Sequence, residues 1–156
     1  MADIALLRRV LSENKIVAIV GLSDKPHRPS YFVGKYLQEH GFTIIPVNPT
    51  RDEILGEKSY PSLEAIPGQV DIVDCFRRAE QMPDLARSAV NIGAKCLWMQ
   101  LSVVSEEAKT IAEAGGLDVV MDRCTKIEYA RLFGGLNWAG VDTKIISAKR
   151  PRHINL

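Results

Sequence analysis

Apolar residues fall into short runs separated by glycine, proline and charged positions. Ile16 to Val20, Thr43 to Val47, Asp71 to Phe76, Lys95 to Met99 and Leu117 to Met121 are too short for helices and rich in branched side chains, so they read as strands. Ile16-Val17-Ala18-Ile19-Val20 is apolar at every position, which predicts a central parallel strand covered on both faces. Between these runs the period changes to that of helices. Ile4, Leu7 and Leu11 share one face of a short helix that Asp3 can cap. A second helix starts near Pro29, carries Val33, Tyr36, Leu37 and His40, and stops at Gly41. Pro83 to Asn91 turns Leu85, Ala86, Ala89 and Val90 inward before Gly93. Ser105 caps a helix through Ala108, Ile111 and Ala112 that Gly115-Gly116 closes. Thr125-Lys126-Ile127-Glu128 matches a capping box and predicts a last helix.

This alternation predicts an α/β protein with a Rossmann-like, doubly wound, mostly parallel five-stranded sheet and helices on both faces. Such sheets bind ligands beyond the carboxyl ends of their strands, near the switch point. Five segments are therefore expected to converge: Gly21 to Ser30, Val47 to Thr50, Phe76 to Arg78, Gln100 to Val103 and Asp122 to Thr125. The connection from Asn48 to Gln69 is long for a compact domain, with one helical turn expected at Ser62 to Ile66. Beyond Gly134 no period is visible, and the basic end Lys149-Arg150-Pro151-Arg152-His153 reads as a mobile tail.

Bulk properties narrow the function class. A chain of 156 residues predicts one domain. Its net charge of +1 gives no footprint for nucleic acid. No apolar run approaches the ~20 residues of a membrane span, and the N-terminus lacks a secretory pattern. Cys75, Cys96 and Cys124 include no CxxC pair, so no disulfide framework or metal site is expected, and reduced thiols fit the cytoplasm.

The expected strand ends carry the chemistry of an anion cradle. Gly21 permits a tight turn, Ser23 supplies a hydroxyl, Lys25 and Arg28 supply charge, and Pro29-Ser30 open a helix whose N-terminus favours an anion. The third glycine of the dinucleotide fingerprint is missing, and Asn48 stands where an NAD-binding chain has an acid. Asn48 between Pro46 and Pro49 serves either as a ligand wall or as a local cap of a stiff turn. Arg77 and Arg78 suit phosphate, with solvation or ion pairing to Glu80 and Asp84 as the alternative. Gln100 is a hydrogen-bonding candidate, while Trp98 is expected in the core. Cys124, between Arg123 and Lys126 at a helix start, is either a thiol activated for redox chemistry or a small buried residue. Asp122 is expected to neutralise Arg123. No nucleophile elbow, P-loop or acid-base pair is present.

Gly21-Leu22-Ser23, Arg28-Pro29-Ser30, Pro46-Val47-Asn48-Pro49, Tyr60-Pro61-Ser62-Leu63, Phe76-Arg77-Arg78, Trp98-Met99-Gln100 and Met121-Asp122-Arg123-Cys124 occur in this order. The series resembles the family of small stand-alone CoA-binding domain proteins, which is similar to the N-terminal domain of the succinyl-CoA synthetase α subunit. The resemblance covers roughly Leu6 to Leu132. It implies a CoA-binding domain over residues 1–134 and an extension over residues 135–156, either part of the same domain or mobile. It further implies coenzyme A or an acyl-CoA as ligand, with the phosphates at Gly21 to Ser30. Val47 and Asn48 would line the adenosine side, and Phe76, Arg77, Arg78 and Gln100 the remainder. The catalytic histidine domain and nucleotide-binding subunit of the synthetase have no counterpart in these residues, so a binding role without ligase activity is implied. A homodimer or a separate protein partner is compatible with that role. A nicotinamide-dependent oxidoreductase, a thiol-redox protein joining Cys124 to CoA, and an interaction module with a lapsed site remain the alternatives.

Overall fold

In the computed structural model, residues 4–134 are described, so the cap expected at Asp3 and the whole of residues 135–156 lie outside them. The chain runs α1 (Ile4–Glu13), β1 (Ile16–Val20), α2 (Pro29–Glu39), β2 (Thr43–Val47), β3 (Glu53–Ile54), β4 (Glu57–Lys58), β5 (Ile72–Cys75), α3 (Met82–Asn91), β6 (Cys96–Met99), α4 (Glu106–Ala114), β7 (Asp118–Val120) and α5 (Thr125–Phe133). The main sheet has the order β2-β1-β5-β6-β7, and every pairing in it is parallel.

The alternation of side chains along β1 explains the layering. Val17 and Ile19 join Leu7, Val10 and Leu11 of α1, Val33 and Leu37 of α2 and Leu132 of α5. Ala18 and Val20 join Met82, Ala86 and Ala89 of α3 and Ala108 and Ala112 of α4. Each face of the sheet thus has its own core, and the strands between must be apolar on both sides. Trp98 is fully buried, and its indole nitrogen donates to the Arg123 carbonyl at 2.8 Å. Leu7 and Leu11 face inward as expected, but Ile4 is exposed and Val10 takes the third buried position of α1. By the helical period Ile4 lies closer to the stripe of Leu7 and Leu11 than Val10 does, so the exposure of Ile4 goes with its place at the first residue of α1 and not with its angle.

Between β2 and β5 the chain makes a small hairpin instead of a helix. Leu55 and Gly56, at φ +55° and +77°, form its two-residue turn. Ile54 and Leu63 bury against the two cores, and one 3-10 turn spans Leu63–Ala65. The order in which strands are added reverses between β1 and β5, since the chain goes outward to β2 and then returns across β1. The carboxyl ends of β1 and β5 therefore frame the switch point at which open sheets accept ligands. No described helix is long and apolar enough to cross a membrane.

Candidate functional site

A cleft of about 940 Å³ opens at those strand ends. Pro29 and Val33 come from α2, Phe76, Arg77 and Arg78 from the turn after β5, Gln100, Leu101 and Val103 from the turn after β6, and Cys124 from the start of α5. Four of the five segments expected to converge contribute a wall, and the cleft is apolar within and cationic at one side. Volume and lining match small-molecule sites in general.

Backbone conformation at Gly21 brings two of these segments together. Gly21 has φ +88°, and its N–H donates to the Val47 carbonyl at 3.0 Å. A Cβ on Gly21 would stand 2.5 Å from the Phe76 carbonyl oxygen and 3.2 Å from Arg77 Nε. Glycine is thus required both by the left-handed conformation and by the approach of the β5 turn. It lets the Arg77 side chain lie across the β1 turn.

The loop that follows is held by its own polar groups. Ser23 N–H donates to Ser30 Oγ at 2.9 Å, and Lys25 N–H donates to Ser23 Oγ at 3.0 Å. Ser30 is buried and closes the loop onto α2. Arg51 pairs with Asp24 at 2.7 Å and holds that carboxyl below its usual range. Lys25 and Arg28 remain exposed. The N-cap position of α2 is Arg28, with no side-chain cap and no acid in the first turn, and Pro29 follows. The first turn keeps its electropositive character.

Val47 and Asn48 stand behind this loop. Val47 packs in the core, and Asn48 Nδ2 donates to the Leu22 carbonyl at 3.0 Å. Asn48 Oδ1 accepts from the Thr50 N–H and hydroxyl at 2.9 and 2.8 Å. Of the two roles open to Asn48, the local cap is the one these bonds describe.

The Arg77 and Arg78 side chains make no ion pair or hydrogen bond with the described residues. Of the two acids offered as alternative partners, Asp84 pairs with Arg87 at 2.7 Å, and Glu80 lines the same cleft without pairing with either arginine. Asp122 likewise departs from the expected pairing with Arg123. Its carboxylate accepts from the Ser102 N–H at 2.7 Å and ties the β7 turn to the β6 turn.

Beneath the cleft lies a group that pattern reading missed. Asp74 sits in the middle of the sheet, on β5, and is fully buried. It accepts from Gln100 Nε2 through Oδ1 and from the Thr125 hydroxyl through Oδ2, the latter at 2.9 Å. Gln100 Nε2 also donates to Thr125 Oγ1 at 3.2 Å. Burial pushes the Asp74 carboxyl up to about 7 against the two hydrogen bonds, which favour its ionised form. Its signal in the sequence was a single acid inside the apolar run Ile72-Val73-Asp74-Cys75. Val33, Leu101 and Val103, which also line the cleft, carried no signal beyond position.

Thr125 therefore does not act as the cap of a capping box. The N-cap position is Cys124, with no side-chain bond, and Glu128 instead accepts from Arg131 at 2.9 Å. The hydroxyl expected to cap the helix goes to a partner 51 residues away. Cys124 reaches the cleft, but burial raises its thiol pKa more than the amides of Ile127 and Lys126 and the Lys126 charge lower it. The helix start and flanking cation act as expected and lose to desolvation. Among the described residues no group of histidine, cysteine, aspartate and glutamate could hold a metal ion.

The chain is 44% identical over 126 residues to the uncharacterized protein YneT of Bacillus subtilis, covering 81% of this chain and 93% of that one. It is 35% identical over 101 residues to the ADP-forming acetate-CoA ligase II of Archaeoglobus fulgidus, covering 64% of this chain but only 15% of the ligase. A hypothetical protein from Pyrococcus horikoshii OT3 has the same fold at a TM-score of 0.83, with 38% identity over 85% of this chain and 94% of that one. The CoA binding domain model matches residues 15–130, from the start of β1 into α5. The chain belongs to the CoA-binding domain family.

Proposed function

We propose that this protein binds coenzyme A or an acyl-CoA in the cleft at the ends of β1, β5, β6 and β7. The observation that carries this reading is the pair Arg77 and Arg78 at the switch point, their side chains free of ion pairs among the described residues and lining one cleft with the start of α2, which no side chain caps. Guanidinium groups and free helix N–H groups are the protein groups best suited to phosphate. Lys25, Arg28 and the backbone of the Gly21 to Ser30 loop extend the same field toward the edge of the sheet. The apolar wall of Pro29, Val33, Phe76, Leu101 and Val103 suits the uncharged pantetheine arm. Val47 and Asn48 act by shaping the loop from behind. The aligned region makes up 15% of the acetate-CoA ligase, so the proposal is for ligand binding and not for that enzyme's reaction.

Isothermal titration of the full chain with CoA, with NAD in parallel, tests the proposal. Arg77→Ala should weaken CoA by about tenfold or more, as expected for one charge-assisted contact of about 1.5–3 kcal/mol. The effect should shrink as salt is raised. No saturable CoA binding at about millimolar concentration would refute the reading. Binding of NAD alone would return the protein to the oxidoreductase class.

A further inference from the structure

Gln100 is a buried polar residue of the cleft wall, and its amide is tied down from one side. Its Nε2 donates to Asp74 Oδ1 and to Thr125 Oγ1, so both of its N–H groups are used. Thr125 in turn donates to Asp74 Oδ2. The three side chains close a ring across β5, the β6 turn and the first residue of α5. Oε1 of Gln100 takes no hydrogen bond from the described residues, and none of their buried side-chain polar atoms lacks a partner. Oε1 is therefore the atom through which Gln100 meets the cleft.

An ionised carboxylate accepts hydrogen bonds and donates none, so Gln100 must turn its NH₂ group toward Asp74. A protonated Asp74 can keep one oxygen for Gln100 Nε2 and turn its hydroxyl to Thr125, but it can also donate to a turned amide, so the ionised form is the one that fixes the direction. Asparagine at position 74 would allow either direction. Placing an acid in the centre of the sheet is costly, and an apolar residue would serve packing better.

We infer that Asp74 and Thr125 are positioning residues that hold the Gln100 carbonyl oxygen toward the cleft as an acceptor for a donor group on the ligand, of the amide, hydroxyl or thiol class. The inference rests on the CoA reading for the identity of that ligand. A pantetheine arm carries two amide N–H groups, a hydroxyl and a thiol on an otherwise apolar chain. Leu101 and Val103 flank Gln100 on the same wall, and Phe76 lies on the neighbouring turn.

The test has one arm without ligand and one with CoA. In ¹⁵N-labelled protein the two Gln100 side-chain amide protons, assigned by their loss in Gln100→Met, should exchange at least tenfold more slowly than those of an exposed glutamine. Protons that exchange as freely as an exposed glutamine's overturn the positioning role, whatever CoA does. In Asp74→Asn, checked for folding by circular dichroism, the amide can turn, its protection should fall and CoA should bind about tenfold more weakly. The swap Asp74→Asn/Gln100→Glu keeps the net charge and restores an acceptor oxygen at the cleft, so affinity should return to within about threefold of the parent. A purely structural role for Asp74 predicts no such recovery. Wild-type affinity in folded Asp74→Asn, while Arg77→Ala still weakens CoA, refutes the inference and leaves the CoA reading standing. Absence of CoA binding by the parent overturns the ligand assignment, and slow, Asp74-dependent exchange would still establish the oriented amide.

Discussion

Replacing Asp74 by asparagine should change how the stability of this protein depends on pH. Asp74 is fully buried, and its carboxyl is raised from 3.8 to about 7, chiefly by loss of hydration. A raised folded-state value means that the native chain holds a proton that the unfolded chain releases. Stability from this group is full below about pH 4 and is lost as pH rises toward about 7. At about 1.4 kcal/mol per unit, the whole interval is worth on the order of 4 kcal/mol. Between about pH 5 and about pH 8 roughly two units of it are crossed, on the order of 2–3 kcal/mol. The other ionisable groups contribute nearly equally to parent and variant, so they cancel in the difference. Asp74→Asn should therefore gain on the order of 2–3 kcal/mol on the parent over that range. The variant also replaces a carboxyl by an amide, with one acceptor and one donor facing Gln100 and Thr125, a difference of about 1 kcal/mol that does not vary with pH. Urea denaturation followed by circular dichroism at the two pH values measures both quantities. Parallel pH profiles in parent and variant, with no relative gain at high pH, would refute the reasoning and mean that Asp74 titrates in the native protein as it does in the unfolded chain.

Gly21→Ala should cost about 2–4 kcal/mol, because a Cβ at φ +88° meets the Phe76 carbonyl at 2.5 Å. A loss under about 1 kcal/mol in the same denaturation assay would mean that the two turns separate easily and do not frame a fixed site. Cys124 should react with iodoacetamide at neutral pH more slowly than a free thiol, since burial raises its pKa. Saturating CoA should slow it further if the ligand lies over the cleft wall, and rapid labelling of mass-verified Cys124 would return the thiol to the redox alternative.

Much of the fold was legible because a doubly covered parallel sheet imposes a local signature. β1 and β2 fall where the apolar runs fall, and the edges of β5, β6 and β7 are off by one residue. Ser105 caps α4 through a bond to the Ala108 N–H at 3.1 Å, a contact three residues away that a pattern can encode. The lining of the candidate cleft was legible in part. Topology alone, applied to the residues after each strand, brought Pro29, Phe76, Arg77, Arg78, Gln100 and Cys124 to one cleft.

What escaped the sequence depends on partners far along the chain. Thr125-Lys126-Ile127-Glu128 has the local form of a capping box, yet the Thr125 hydroxyl meets a buried acceptor on β5. A hydrogen bond to a buried carboxyl outweighs one to a helix N–H that water can also serve, since an unpaired group in the interior bears its full desolvation cost. Cys124 inverts for the same reason. Its flanking cation and helix start can be read from neighbours in sequence, whereas the burial that outweighs them comes from a core assembled from residues far along the chain. Asp74 links the two cases. One acid placed where the sheet should be apolar draws Thr125 away from its helix end and faces Gln100 toward the cleft. In a parallel sheet whose strands are otherwise uniform, such an exception is the position at which sequence most directly marks the floor of a binding site.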